Sequence, residues 1–294
     1  MAADILQDVA STITRTISQH RMVASFEVSA AVIAVYDTLL NLNLEWCFVW
    51  SSPWTVVKVM YLFQRYLPFV DSLVLWIYFQ FSTDPGFCTS ITKAILWMGV
   101  GGVLVAEILM SLRVWAVWRR NKYIAATLGT LYVGCFTLGC VYFKKFTDGI
   151  VYDNPPVAIP NREGCYLTGG NTILYKAWIM VVVYDTATFI LMMIPVVKAY
   201  RTGGRAGLIK VVYQDGIKYF AVMFLCSMTN IILILVNPSF VYLFTSLERV
   251  LHSIIASRAI LHIRNQSSKQ GIFIATGEEV RLEALDLSTI PNND

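Results

Sequence analysis

The stretch VMYLFQRYLPFVD, Val59–Asp71, poses the question on which the fold depends. It is apolar and aromatic over most of its length, yet it holds Arg65 near its middle. The guanidinium of arginine stays charged in proteins, and a charge within lipid is costly. Such residues usually face the interior of a helical bundle and pair there. The stretch therefore predicts a membrane-buried helix with a charged inner face.

The composition of the whole chain favours the same environment. Of its 294 residues, 56% are hydrophobic and 14% are charged, whereas soluble domains carry about 25% charged residues. Between polar clusters lie apolar runs of about 20 residues, the length that crosses a hydrocarbon core of about 30 Å. The runs lack the every-second-residue alternation of a membrane β-barrel. We expect an all-α, polytopic membrane protein.

The apolar runs predict a receptor-like bundle of seven transmembrane helices. The predicted spans are 24–44, 56–80, 91–118, 123–143, 172–198, 217–237 and 239–262. Only Asn237-Pro238-Ser239 separates the last two. Pro238 favours a break there, because it lacks a backbone donor. Fusion of these two spans would give six, but the fused run would be much longer than the bilayer is thick.

Short polar segments flank the predicted bundle, which covers residues 23–264. The first segment, 1–22, contains no apolar core of the signal-peptide type, so we expect span one to stay uncleaved. The last segment, 265–294, is too short and too polar for a domain with its own core. Neither end carries a lipidation motif.

The distribution of basic residues predicts the orientation of the bundle. They concentrate around the ends of spans three, five and seven. These residues are Arg119, Arg120 and Lys122, then Lys198, Arg201, Arg205, Lys210 and Lys218, and then Arg258, Arg264, Lys269 and Arg281. Cytoplasmic loops are enriched in lysine and arginine. We therefore expect the N-terminus outside and the C-terminal tail in the cytoplasm.

The cysteines provide a second observation on orientation. Four of the six fall in spans or on the inner side, namely Cys47, Cys135, Cys140 and Cys226. Only Cys88, before span three, and Cys165, in the outer loop at about 145–171, fall on the outer side. Disulfides form in oxidising compartments. A bridge between Cys88 and Cys165 is therefore predicted, with two unrelated thiols as the alternative.

A run in the first two predicted spans resembles a known module. It extends from Tyr36 to Pro68 and reads YDTLLNLNLEWCFVWSSPWTVVKVMYLFQRYLP. Its spaced residues are Tyr36-Asp37, Glu45, Trp50, Trp54, Lys58, Arg65-Tyr66 and Pro68. The pattern resembles the N-terminal module, here at about 24–70, of a large fungal family of seven-helix integral membrane proteins, known only as a domain of unknown function. YQDGIKYF at Tyr213–Phe220 and ASRAILHIR at Ala256–Arg264 also resemble that family. The resemblance implies a seven-helix fold and brings no activity, ligand or catalytic residue.

Ionisable residues from several spans are expected to form an intramembrane polar band. The band comprises Asp37, Arg65, Asp71, Glu107, Asp185, Glu248 and Arg249. At a rise of about 1.5 Å per residue, Arg65 lies at a depth similar to those of Asp37 and Glu107. We expect Arg65 to pair with one of these two, because guanidinium and carboxylate groups match as bidentate partners. The band would serve either as a structural clamp or as a ligand site or switch.

Enzyme chemistry finds little support in the sequence. Asp37 and Asp185 could act as an acid–base pair, but Asp185 lacks the preceding Gly-x-Gly of aspartyl intramembrane proteases. Of the three histidines only His252 falls well inside a span, which argues against a metal site. We therefore expect no enzyme activity, no catalytic residue, no cofactor and no metal.

A receptor-like signalling protein fits the predicted topology better. The Asp-Arg-Tyr signature of G-protein-coupled receptors is missing, since span three offers Ser111-Leu112-Arg113, and span seven has no lysine for retinal. A transporter or a structural membrane protein is the alternative, although seven spans do not divide into inverted halves. Expected partners are the lipid bilayer, an unknown small-molecule ligand and a cytoplasmic signalling partner, with no nucleic acid. We expect a multi-pass protein of the plasma membrane or another secretory-pathway membrane.

Overall fold

The computed structural model describes residues 2–75, 77, 84–153, 166–169, 173–201, 207–236, 247–262 and 264–265. Within these ranges the chain forms seven helices and one small hairpin. The helices are α1 (Ala2–Glu45), α2 (Val56–Phe69), α3 (Pro85–Val117), α4 (Lys122–Asp148), α5 (Leu174–Arg201), α6 (Gly207–Val236) and α7 (247–262), and the strands are β1 (Val151–Asp153) and β2 (Tyr166–Gly169). Two π-helical turns, Trp46–Trp50 and Val70–Leu75, continue α1 and α2.

Five segments of the described residues are long and apolar enough to cross a membrane. They are Ala24–Trp50, Pro85–Val117, Lys122–Asp148, Leu174–Pro195 and Ile217–Val236. A multi-pass helical membrane protein is thus indicated, in agreement with the composition. The predicted spans two and seven are not among the five, since α2 has 14 residues and the helical residues described after 246 are 247–262 and 264–265. The count of seven spans stays a prediction.

Several helices begin earlier than the hydropathy predicts. α1 starts at Ala2, so the segment predicted as a short outer N-terminus continues the first helix. Asp84 caps the start of α3 by accepting the backbone N–H of Phe87 at 2.9 Å. Asn121 caps α4 in the same way through the N–H of Tyr123. Polar caps therefore set these boundaries, which an apolar-run criterion does not include.

Pro68 interrupts the hydrogen-bond ladder of α2. Since proline has no backbone N–H, the carbonyl of Gln64, four residues earlier, loses its partner within the helix. The hydroxyl of Ser253 in α7 donates to this carbonyl at 2.6 Å. Beyond Phe69 the chain continues as the π-helical turn that carries Asp71. The proline thus creates an acceptor that α7 satisfies.

The strands β1 and β2 pair in antiparallel fashion, with Asp153 opposite Tyr166. The backbone N–H of Tyr152 donates to Thr89 Oγ1 at 3.2 Å, which ties β1 to the first turns of α3, next to Cys88. The all-α prediction did not include this hairpin, which uses β-branched and aromatic residues of a connecting loop. Cys165 lies outside the described residues, so its bridge to Cys88 stays a prediction.

Helix α3 contributes to three apolar clusters of the core. Its Leu104 packs against the cluster formed by α4 and α5. Met110 belongs to the cluster shared with α5, α6 and α7, and Leu109 to the one shared with α2 and α7. Residues on the same turns of α3, Glu107 among them, are therefore positioned between several helices.

Candidate functional site

All seven ionisable residues of the predicted band are buried in the described part of the bundle. Their exposed fractions are 2% for Asp37, 3% for Arg65, 0% for Asp71, 1% for Glu107, 4% for Asp185, 0% for Glu248 and 7% for Arg249. Instead of one continuous band, the residues form three groups. One joins α1, α2 and α7, another joins the extension of α2 to α7, and the third joins α3, α5, α6 and α7.

The first group, the ion-pair cluster, comprises Asp37, Glu45, Arg65 and Arg258. Arg65 contacts both acids through different N–H groups of its guanidinium. Nη1 pairs with Asp37 Oδ2, and Nε donates to Glu45 Oε1 at 2.5 Å. Nη2 also donates to the backbone carbonyl of Asp37 at 3.2 Å. The phenols of Tyr61 and Tyr66 donate to the two carboxylate oxygens of Glu45 at 2.9 and 3.0 Å.

Arg258 completes the cluster from α7. Its Nε donates to Asp37 Oδ1, while its side chain stays 46% exposed. Two carboxylates therefore meet two guanidinium groups, and such balanced, hydrogen-bonded geometry is what a buried ion pair requires. Of the two partners predicted for Arg65, the structure brings Asp37 into contact. The alternative, Glu107, lies with α5 and α7 instead.

The second group is the pair of Asp71 and Arg249. Arg249 Nη1 lies 3.1 Å from Asp71 Oδ2, and neither side chain is more than 8% exposed. Gly99 of α3 makes room for this arginine. A Cβ atom at Gly99 would lie 2.9 Å from Nη1 and 3.0 Å from Cδ of Arg249. Arg249 therefore passes α3 at Gly99, a position where any residue with a Cβ atom would collide with it.

We expect Gly99→Ala to lower the melting temperature, whereas Gly101→Ala should not. A Cβ at Gly101 meets nothing within 4 Å, so that change keeps the helix-propensity gain of alanine, about 0.5–1 kcal/mol. At Gly99 the methyl group displaces an arginine that its ion pair holds in place, and overpacking costs about 1–3 kcal/mol. Thermal unfolding of both variants in the same detergent tests this. Equal melting temperatures would contradict the tight passage of Arg249 over α3.

The third group, the carboxyl–histidine cluster, comprises Glu107, Asp185, Glu248 and His252. His252 is fully buried. Its Nδ1 lies 3.6 Å from Glu107 Oε1, and its Nε2 lies 3.7 Å from Glu248 Oε1. The carboxyl groups of Glu107 and Asp185 are electrostatic neighbours. The imidazole therefore stands between acids from α3 and α7.

Helix α6 adds two polar side chains to the carboxyl–histidine cluster. Ser227 Oγ donates to Asp185 Oδ2 at 2.8 Å, and Asn230 Nδ2 donates to Glu248 Oε2. Both α6 residues are fully buried. Within the described ranges, His, Cys, Asp and Glu side chains do not form a group of three or more arranged to hold a metal ion. The side chains of the cluster can donate and accept hydrogen bonds and can exchange protons.

Sequence reasoning did not place Glu45, Arg258, His252 and Asn230 in these groups. Glu45 appears in the quoted module, but it lies at the end of the predicted first span. The π-helical turn Trp46–Trp50 continues the helix past it. His252 follows Glu248 by four residues, a spacing that puts both on one helix face. That spacing was the available signal for the histidine.

Comparison with protein families matches residues 25–70 to DUF6533, a family of unknown function. The match covers much of α1, the turn after it and α2, and confirms the domain of unknown function expected there. The fungal origin and the seven-helix family implied by the resemblance stay predictions. Comparison with curated proteins finds no match to the chain.

Four of the five charged residues of the matched segment are buried in this fold. Asp37, Glu45 and Arg65 form the ion-pair cluster, in which α7 supplies the fourth member. Lys58 is 2% exposed and donates to the carbonyls of Trp50 and Ser52 at 3.1 and 2.6 Å. The spaced charges of the module therefore serve to join α1, α2 and the turn between them.

Proposed function

We propose that this chain is a receptor-like seven-helix signalling protein, with its N-terminus outside and its C-terminus in the cytoplasm. In this proposal α7 is the moving element, and its polar contacts with α1 and α2 change when a ligand binds. The observation that supports it most directly is the row of such contacts along α7. Polar contacts between packed helices can exchange partners, which gives a bundle two discrete arrangements.

The contacts follow α7 over several turns. Arg249 pairs with Asp71, and Ser253 donates to the carbonyl of Gln64. Further along, Arg258 pairs with Asp37. Arg264, in the last helical residues that the structure describes, donates to the carbonyl of Phe48 and to Ser52 Oγ, in and just after the π-helical turn that follows α1. Arg258 is the half-exposed member of the row, so a partner at this end of the bundle could reach it.

Distance measurements between the α1–α2 turn and the end of α7 test the proposal. Spin labels at Cys47 and Asn265→Cys, with the other free thiols replaced, would report this distance in the full chain. Arg258→Gln should add a longer distance to the distribution, because it removes a contact with Asp37. Arg120→Gln, a change at an exposed arginine, is the matched control. A distribution that stays single and unchanged in folded Arg258→Gln would sink the proposal.

A proton or cation transporter is the second candidate. The excess of buried carboxyls over cations in the carboxyl–histidine cluster favours it, because intramembrane acids often line ion pathways. Proteoliposomes loaded with a pH-sensitive dye separate the two candidates. Collapse of a proton gradient faster than in protein-free vesicles would support transport. An intact gradient would support the receptor-like reading.

The proposed orientation predicts that the native chain carries no N-linked glycan. Asn265-Gln266-Ser267 is a sequon, but it would lie in the cytoplasm, and Asn237-Pro238-Ser239 is blocked by its proline. Glu163→Thr makes Asn161 an acceptor in the predicted outer loop, so this variant should gain one glycan. The electrophoretic shift on deglycosylation measures both. A glycan on Asn265 would reverse the orientation.

The proposed disulfide predicts that Cys88 and Cys165 resist alkylation until reductant is added. Cys88 is buried and is not among the free thiols of the described residues, which are Cys47, Cys135, Cys140 and Cys226. Cys165 directly precedes the strand that pairs with β1, and β1 is tied to Thr89 beside Cys88. Exposed Cys47 is the control that should react at once. Alkylation of Cys88 in non-reduced protein would exclude the bridge.

The protein would act without catalysis, through an unidentified small-molecule ligand on one side and a cytoplasmic partner on the other. Its place would be the plasma membrane or another membrane of the secretory pathway. Basic residues of the exposed α3–α4 turn, Arg119 and Arg120, would face that partner or anionic lipid.

A further inference from the structure

The carboxyl–histidine cluster contains more acidic than basic groups. Three carboxyls, of Glu107, Asp185 and Glu248, surround one imidazole, and all four groups are at most 4% exposed. The neighbouring Arg249 is already paired with Asp71. The flanking segments 76–83 and 237–246 contain no Lys, Arg or His. Buried charge without a counter-charge is strongly unfavourable. Among the described residues and these flanking segments, the cluster has no further basic group, so a bound cation is the source of positive charge that fits it.

Unpartnered polar atoms inside the cluster point to the same conclusion independently. Both ring nitrogens of His252 lack a hydrogen-bond partner within the described ranges, as do Glu107 Oε1, Glu248 Oε1 and Asn230 Oδ1. The imidazole is aimed at both acids from distances just beyond hydrogen-bond range. Glu107 and Asp185 are also neighbours, and two carboxyl groups can form a hydrogen bond with each other only if one of them carries a hydrogen, because carboxylates are acceptors alone.

The proton is the cation that fits this site. The described side chains offer no metal-type group of ligands. The polar residues of the cluster are buried, and a proton needs no cavity, since it binds on an existing nitrogen or oxygen atom. Asp185 accepts from Ser227 and Glu248 accepts from Asn230, which favours the charged form of both. Glu107 is thus the carboxyl left to act as a donor.

We propose that the carboxyl–histidine cluster is a proton-binding site that holds at least two protons. One resides on His252, between Glu107 and Glu248, and the other lies on Glu107, in its hydrogen bond to Asp185. Neighbouring elements present further titratable or charged groups to the cluster. They are Asp71 beyond α2, Tyr132 in α4, Tyr184 in α5, Cys226 in α6 and Arg249 in α7. Helix α1 packs nearby through Ala30 and Ala34, which do not titrate.

This inference goes beyond the proposed function, because it holds whether the protein signals or transports. Loss of the protons would leave Glu107 and Glu248 to repel each other across His252. The two acids belong to α3 and α7, so the repulsion acts between these helices. Proton binding is thereby coupled to the position of α7, the helix that also carries the contacts to α1 and α2.

Infrared spectroscopy of the full-length protein in lipid nanodiscs tests the site directly. At neutral pH the wild type should show the C=O stretch of a protonated carboxyl, shifted on transfer to heavy water. Glu107→Gln should remove most of that band. Asp185→Asn should shift it, because the acceptor changes from carboxylate to amide. Asp148→Asn, a change at an exposed acid at the end of α4, is the matched control and should leave it unchanged.

Thermal unfolding adds a measurement that does not depend on the infrared band. Glu107→Gln should melt at or above the wild-type temperature, because glutamine keeps the hydrogen bond to Asp185 without a titrating proton. A lower melting temperature would mean that Glu107 is charged and structurally paired, which would overturn the proposal. The absence of the band from the wild type would also overturn it, even if a variant fails to fold. The proposal would also be overturned if the infrared band disappeared when sodium chloride replaced choline chloride, because sodium would then be the cation bound in the cluster.

Discussion

Arg65→Met is expected to reduce the yield of folded protein severalfold and to lower the melting temperature of what remains. Arg65 contacts both Asp37 and Glu45, and these carboxylates are 2% and 0% exposed. Without the guanidinium, Glu45 keeps its two phenol donors, and Asp37 keeps Arg258 and the side-chain amide of Asn41. Removing one partner of a buried ion pair typically costs about 3–5 kcal/mol. Size-exclusion profiles and thermal unfolding in one detergent measure the effect.

Double variants identify the partner of Arg65. Arg65→Met combined with Asp37→Asn or with Glu45→Gln should recover part of the loss, because each removes one uncompensated carboxylate. Arg65→Met with Glu107→Gln is the matched control and should melt below Glu107→Gln by as much as Arg65→Met melts below the wild type, since Glu107 lies in the carboxyl–histidine cluster. Recovery by Glu107→Gln alone among the three would show that the ion-pair cluster is assigned to the wrong acid. Wild-type melting of Arg65→Met itself would show that Arg65 is not a buried clamp.

Arg249→Met should be the other strongly destabilising change. It leaves Asp71, which is fully buried, without the guanidinium at 3.1 Å. It also removes the nearest fixed positive charge from the carboxyl–histidine cluster, where acids already outnumber bases. We expect a loss of about 3–5 kcal/mol, read as a lower melting temperature and a smaller folded fraction.

The double variant Arg249→Met with Asp71→Asn should recover much of this loss. A neutral amide costs less to bury than an unpaired carboxylate. Arg119→Met is the control for removal of an arginine, since Arg119 is exposed and surface changes usually stay within about 0.5 kcal/mol. If Arg249→Met and Arg119→Met melt alike, the pair of Asp71 and Arg249 contributes nothing to stability.

Hydropathy and the cost of burying charge predict much of this fold from the sequence. They predict a multi-pass bundle, and they select Arg65 and Asp71 as interior residues because each interrupts an apolar run. The pairing of Arg65 with Asp37 follows from similar depth and complementary charge. Depth in the membrane did not exclude Glu107 as the partner of Arg65. The direction in which a helix presents its side chains depends on the rotation of the helix about its axis, which is set by tertiary packing and not by the sequence of that helix.

Features that depend on irregular backbone or on distant partners could not be predicted in this way. Glu45 is inside because a π-helical turn follows it, and hydropathy does not register such turns. The hairpin of β1 and β2 depends on pairing across a long loop. Ser253 and Arg258 meet residues 189 and 221 positions earlier in the chain, and no local pattern marks them.

The contacts of α7 have a consequence for biosynthesis. The chain is synthesised from its N-terminus, so the paired charges of α1 and α2 are made before α7 is available to contact them. Until α7 arrives, the carbonyl that Pro68 leaves open has no hydroxyl donor, and Asp37 lacks its second guanidinium. The segment 25–70 is therefore not a self-sufficient folding unit in this chain. Truncation before residue 247 should leave a nascent protein with uncompensated polar groups in lipid, the kind of defect that membrane quality control degrades.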